Sequence, residues 1–277
     1  MVMWLENQEL SMDHELVAYE VIGAVARIYL NRPEKRNAQN TRLLDELDAA
    51  LRRAEEDPSI RVVILGANGD HFSAGHDLRE LGDNYLELPS ENRYAYEEKY
   101  FYKYALRIWD LPKPVIAQVQ GACVAGGFLI AAMCDFLVVS EDAFFADNVV
   151  PMGSAGVEVL FHPWVLGPRL AKEILFTGRS IFAAEAKDIG LANRVVPRSD
   201  LESTVLALAE QIAKAPPFTV KLTKKSINRT MDIQGFRTAI EAHFDTHQLC
   251  HTTSESGAGG STGSERLKNF KAVISKA

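Results

Sequence analysis

Residues 111–141 read LPKPVIAQVQGACVAGGFLIAAMCDFLVVSE. The stretch predicts a strand over 114–121, a glycine-containing turn over 121–127, a buried helix from Gly126 to about Cys134 and a second strand over 135–141. No charge falls between Pro114 and Cys134, a length that could cross a membrane. However, Gln118, Gln120 and three glycines interrupt the run, and its first part has strand character. A strand followed by a wholly buried helix is therefore expected, with no membrane span.

Working outward, LVAYEVIGAVARIYL (16–30) alternates β-branched and aromatic residues and predicts two strands turning near Gly23. Pro33 ends the second strand, because it has no N–H to donate to a ladder. Asn40 or Thr41 opens an amphipathic helix with Leu44, Leu47, Leu51 and Ala54 on one face, and Asp57-Pro58 stops it. IRVVILGA (60–67) reads as a strand covered on both faces, and 85–109 as an aromatic-rich helix. Strands alternating with helices imply an α/β core. From Ala171 onward the reading is mainly helical: AKEILFTG, AAEAKDIGLANRVV and SDLESTVLALAEQIAKA, broken at Pro216-Pro217. SESGAGGSTGSE (254–265) is a flexible link before a basic tail. The expected division is a ββα core over 1–197 and a helical region with link and tail over 198–277.

The formal net charge of -7 argues against non-specific nucleic-acid binding, which needs Lys and Arg to neutralise phosphates. Cys123, Cys134 and Cys250 cannot all pair and form no CxxC, so a reducing, cytoplasmic setting is expected. The first residues lack the basic and apolar regions of a signal peptide.

Two glycine turns carry the candidate chemistry: Phe72-Ser73-Ala74-Gly75-His76-Asp77-Leu78 and Gly121-Ala122-Cys123-Val124-Ala125-Gly126-Gly127. Small residues let a ligand approach the backbone and leave N–H groups free to donate. Two amides converging on one carbonyl oxygen would stabilise an enolate or a tetrahedral oxyanion. Taken alone, each turn is better explained by close helix–strand packing.

Taken in order, NRPEKRNA (31–38), HFSAGHDLREL (71–81), LPKPVIAQVQGACVAGG (111–127), CDFLVVSEDAFF (134–145) and LFTGRSIFAAEAKDIGLANRVVP (175–197) resemble the enoyl-CoA hydratase/isomerase family, the crotonases. The resemblance runs from about residue 14 to residue 230. It implies a spiral of ββα units with a C-terminal helical trimerisation region, giving a homotrimer or a hexamer made as a dimer of trimers. It also implies an acyl-CoA thioester as ligand, with no other cofactor. The two oxyanion amides fall on Ala74 and Gly126. The CoA contacts fall on Arg36, Ala38, Ser73, Ala74, His76, Asp77 and Leu78, joined by Lys268 and Lys271 of the tail.

The sequence departs from that pattern where hydratases use two glutamates to place water and move its proton. Leu129 and Val149 occupy those positions, and neither can exchange a proton. Asp147 and Glu158 are the nearby carboxylates; each is a candidate acid–base group, against the plainer roles of turn cap for Asp147 and structural hydrogen bond for Glu158. His76 is read as a binding or loop-supporting residue, and His162 as packing. His243, His247 and His251 share a helical stripe, but three ligands over more than two turns do not converge easily on one ion, so no metal is expected. Ser73 to Asp77 contains the residue types of a serine hydrolase without the GxSxG elbow. The expected function is acyl-CoA chemistry through an enolate, by isomerisation or by atypical hydration or hydrolysis. The alternative is a non-catalytic acyl-CoA-binding or carrier protein.

Overall fold

The computed structural model describes residues 15–81, 88–253 and 256. Val17–Ile22 (β1) and Val25–Leu30 (β2) form the expected antiparallel hairpin, in register from Val17 opposite Leu30 to Ile22 opposite Val25. Gly23 makes the turn with φ of 59°. Asn40 caps Thr41–Glu56 (α1), its side-chain oxygen accepting from the Leu43 N–H at 3.0 Å. The apolar face of α1 buries Leu43, Leu44, Leu47, Leu51 and Ala54.

Val62–Ala67 (β3) is buried throughout. Val63 and Leu65 enter the main core, which includes Leu43, Leu47 and Leu51 of α1 and Phe128, while Val62 and Ile64 enter a second cluster on the opposite face. Leu78–Leu81 (α2) follows the first glycine turn. Ser90–Glu97 (α3) runs through a π-helical stretch, Glu98–Lys103, into Tyr104–Asp110 (α4). The expected aromatic-rich helix is therefore one rod with a wider middle turn.

Val115–Val119 (β4), Ala122–Val124 (β5), Gly126–Ala132 (α5), Phe136–Ser140 (β6) and Phe144–Ala146 (β7) come next. Then follow His162–Leu166 (α6), Pro168–Thr177 (α7), Ile181–Phe182 (β8), Ala183–Asp188 (α8) and Arg194–Val196 (β9). The six-stranded sheet has order β1-β2-β3-β4-β6-β9, parallel from β2 onward. A smaller sheet joins β5, β7 and β8.

Two expectations are corrected. Residues 121–127 are not all turn, because Ala122–Val124 pairs with β7 before the chain bends at Ala125. AAEAKDIGLANRVV is helical only to Asp188; Gly190 then takes φ of 77°, and Arg194–Val196 pairs with β6 at the sheet edge.

Leu201–Ala213 (α9) lays Leu201, Val205, Leu208 and Ala209 on the sheet face made by Val25, Val62, Ile64, Ile116 and Val138. Helical chain beyond residue 197 is thus part of the core packing. Pro217–Ile233 (α10) and Phe236–Cys250 (α11) complete the order, and Phe236 and Ile240 of α11 enter the main core. Among the described residues, no helix is long and apolar enough to cross a membrane.

Candidate active site

The two glycine turns lie side by side. Phe72 and Ser73 donate to the carbonyls of Gln120 and Ala122 at 2.8 and 3.0 Å, and Val124 donates back to Ser73 at 3.0 Å. Below them, Arg36 and Asn37 are consecutive left-handed residues, with φ of 52° and 53°. This turns the Arg36 carbonyl onto the Ala74 N–H at 2.9 Å, and Gln39 bridges the carbonyl of Gly75 and the N–H of Asp77. The expectation of a free amide on Ala74 therefore fails, because the loop spends that donor on Arg36. Pairing takes alternate amides along an extended segment. Among the described residues, the N–H groups of His76 and Gly126 donate to no protein acceptor.

Glycine is required where the turns touch. Gly75 has φ of 87°, and a Cβ there would lie 2.8 Å from the Val124 carbonyl and 3.2 Å from the Gly126 nitrogen. A Cβ on Gly127 would lie 2.6 Å from the Ser73 carbonyl, so the second glycine of the pair does serve close packing. Between them, Ala125 holds φ of 47° and ψ of -113°, outside the favoured regions for a side-chain-bearing residue.

A cavity of about 130 Å³ opens beside these loops. Ala74, His76, Phe101 and Val149 line it, as do Glu97, Glu158, His247 and His251. The His76 imidazole stacks on Phe101 with centroids 3.6 Å apart, and its Nδ1 faces Glu158 Oε1 at 3.6 Å. Burial lowers the His76 pKa to about 4, so the ring is neutral at neutral pH. Glu158 is buried, its Oε2 has no hydrogen-bond partner among the described residues, and burial pushes its carboxyl well above the usual carboxylate range. Leu129 is buried in α5, and Val149 offers the cavity an apolar surface.

Asp147 does not line this cavity. It is fully buried, its Oδ1 accepts from the Val149 N–H at 3.0 Å, and its Oδ2 lies 3.3 Å from His162 Nε2. The expected catalytic role is corrected to the turn-capping one, since Oδ1 caps the Val149 N–H and the residue stands apart from the cavity lining. His162 is buried and stacks on Phe161, as a packing residue does.

The expected CoA contacts divide. Arg36 is exposed, Ala38 is half-buried, and Leu78 lines the cavity. Ser73 is buried, with its hydroxyl donating to the Asn37 carbonyl at 2.8 Å, and Asp77 pairs with Arg32. Ser73 and Asp77 thus hold the loop's shape. Lys268 and Lys271 lie outside the described residues.

Sequence reading missed Glu97. It ends α3, and its carboxylate meets the Nε2 atoms of His247 and His251, each at 3.2 Å. Burial alone would raise the Glu97 pKa, but the two imidazoles outweigh it and hold the carboxyl well below the usual range. His243, the first of the expected stripe, instead turns its Nε2 to the Val157 carbonyl at 2.9 Å. The i,i+4 spacing of His247 and His251 was the one available signal; their partner on another helix had none.

Residues 20–272 match the family model described as enoyl-CoA hydratase/isomerase. The chain belongs to that family. EchA13 of Mycobacterium tuberculosis, which bears an enoyl-CoA hydratase name, is 40% identical over 275 residues, covering 92% of this chain and 86% of its own. The mitochondrial Delta(3,5)-Delta(2,4)-dienoyl-CoA isomerase of Rattus norvegicus is 34% identical over 233 residues, covering 79% of this chain and 71% of its own. A Mycobacterium thermoresistibile structure described as a probable enoyl-CoA hydratase is 50% identical, with a TM-score of 0.82 over 86% of this chain and 97% of that one. The crotonase fold expected from the sequence is therefore present, in an acyl-CoA-processing enzyme of the hydratase/isomerase family.

Proposed function

We propose that this enzyme shifts a double bond within an enoyl-CoA, with Glu158 carrying the proton and the N–H groups of His76 and Gly126 holding the thioester oxygen. The observation that carries this reading is Glu158, a buried carboxylate on the cavity wall whose Oε2 has no hydrogen-bond partner among the described residues. Isomerisation needs one group that removes a proton from one carbon and returns it to another, with no water consumed. Hydration by the family's glutamate pair needs a second proton-exchanging group, and Leu129 and Val149 supply none.

Removing a proton next to the thioester moves its electron pair onto the carbonyl oxygen. Two amides aimed at that oxygen stabilise the enolate, and one such donor is worth about 3–4 kcal/mol in well-studied hydrolases. Burial makes the Glu158 carboxylate a stronger base than an exposed one, which suits removal of a weakly acidic carbon-bound proton. The same burial lets the carboxylic acid form persist until it returns the proton. The rat isomerase relative supports a double-bond shift in kind, without specifying acyl length or the position of the bond.

The test is a panel of 2-enoyl-, 3-enoyl-, dienoyl- and 3-hydroxyacyl-CoAs followed by chromatography and by proton NMR in D₂O. Conversion between enoyl isomers with solvent deuterium entering the acyl chain is the expected result, and Glu158→Gln lowers its rate by about 10²–10⁴-fold. Formation of 3-hydroxyacyl-CoA alone would move the reading to atypical hydration. Tight binding with no turnover across the panel would leave the carrier reading, for which Leu129 and Val149 also speak.

A further inference from the structure

Glu97, His247 and His251 all line the cavity, and the proton transfer above uses none of them. We propose that these three side chains form a binding site for a divalent d-block cation of the zinc or ferrous type, on the wall of the acyl pocket. The proposal stands on their geometry and not on the proton transfer given to Glu158, whose Oε1 lies 3.8 Å from His247 Nε2.

His247 lies in the last turn of α11 and His251 caps the helix one turn on, so both imidazoles leave the same face of the chain. Their Nε2 atoms are 2.9 Å apart, and each lies 3.2 Å from an oxygen of Glu97. His247 lies beside Oε2 and His251 beside Oε1, so the two nitrogens and the carboxylate face one another across one small space. A cation at the usual 2.0–2.1 Å from both nitrogens would meet the carboxylate through one oxygen or both. The donor set of two imidazoles and one carboxylate suits zinc and non-haem ferrous iron, and three ligands leave positions open to substrate or water.

The packing around the three side chains holds them. The Gln248 side-chain amide donates to Glu97 Oε2, and Ser256 Oγ lies 3.5 Å from His251 Nδ1. Such outer contacts fix the orientation of metal-binding side chains. All three ligands are at most one-tenth exposed: the side chains of Glu97 and His247 at 2%, that of His251 at 10%. A purely hydrogen-bonded trio is the competing arrangement. Each Nε2–H could donate to its own oxygen of Glu97, but two such protons would crowd nitrogens only 2.9 Å apart. A cation replaces both protons and engages all three side chains.

The full chain, prepared without a histidine tag and freed of metal by a chelator that is then removed, is titrated with Co²⁺ and followed by visible absorption and calorimetry. One equivalent per chain is expected, displaced by Zn²⁺, with a rise in melting temperature on loading. His251→Ala and Glu97→Gln each weaken binding at least about ten-fold, and Gln248→Leu weakens it by about 10–100-fold. No uptake of either ion at a large excess overturns the proposal, as does binding unchanged in both His251→Ala and Glu97→Gln. Should these variants fail to fold, X-ray absorption of the zinc-loaded wild type decides. Two imidazoles in a nitrogen/oxygen shell at about 2.0–2.1 Å support the site, and sulfur ligation or no imidazole overturns it.

Discussion

The imidazole of His76 lies flat on the ring of Phe101, with centroids 3.6 Å apart and planes 10° from parallel. The ring also fills the space beside Gly126, where an added Cβ would lie 2.5 Å from His76 Nε2. His76 thus brings two separate things to the site: a side chain that plugs a gap and a backbone N–H that faces no acceptor among the described residues.

Those contributions separate on mutation. His76→Ala keeps the N–H and removes the ring, so kcat for double-bond isomerisation is expected to stay within about ten-fold of wild type, while stability falls by about 1–3 kcal/mol from the lost packing. Stopped-flow turnover and urea unfolding measure the two effects. Loss of activity as deep as in Glu158→Gln would make the imidazole a reacting group.

Gly75→Ala tests the loop itself. A Cβ at φ of 87° and 2.8 Å from the Val124 carbonyl must push the two glycine turns apart. Misplacing one oxyanion donor is expected to lower kcat by about 10²–10³-fold with a smaller effect on acyl-CoA affinity. Equal kcat in the variant would remove the paired amides from the mechanism.

Asp147 gives a pH signature in stability. Burial raises its folded pKa to about 6 from an ordinary 3.8, so its contribution is fully present at low pH and is lost as pH rises through about 6. Asp147→Asn cannot lose a proton, yet keeps an oxygen for the Val149 N–H. The variant should therefore gain about 2–3 kcal/mol on wild type between pH 4 and pH 8. Urea denaturation at both pH values checks this; a difference that does not change with pH contradicts a buried, proton-holding Asp147.

Lys224 reaches from α10 to Asp135, just before β6, at 2.7 Å, and also donates to the Lys113 carbonyl at 3.2 Å. Asp135 in turn accepts from the Val115 N–H at 2.8 Å, where β4 begins. Lys224→Met leaves the partly exposed Asp135 carboxylate with the Val115 N–H but without its cation, and a loss of about 1–3 kcal/mol is expected. Lys224→Met with Asp135→Asn should recover much of it. Without recovery, the loss belongs to the lysine stem and its packing.

Much of the fold was legible because its signals are local. Asn40 before a leucine-striped helix, the alternation in 16–30 and the unbroken run in 62–67 each identify an element without reference to the rest of the chain. The strands Ala122–Val124 and Phe144–Ala146 were not legible, since three residues are too few to show a period and exist as strands only through each other. The site followed the same division. Sequence placed both glycine turns and Glu158, which the structure brings to one cavity or its edge. It placed a free amide on Ala74, whose N–H is taken by a carbonyl 38 positions earlier in the chain. Glu97 was invisible for the same reason: its partners lie on a helix about 150 residues away.

The π-helical stretch at Glu98–Lys103 separates Glu97 from Tyr104–Asp110. Such a turn holds one residue more than an α-turn, and each residue of an α-helix advances the direction of its side chain by about 100°. Deleting a single residue there would keep the rod intact and swing Glu97 a quarter-turn or more away from the histidines, while Ala105 and Ile108 kept their place in the core. The gain or loss of one codon thus separates a chain that presents a carboxylate to His247 and His251 from one of the same fold that cannot.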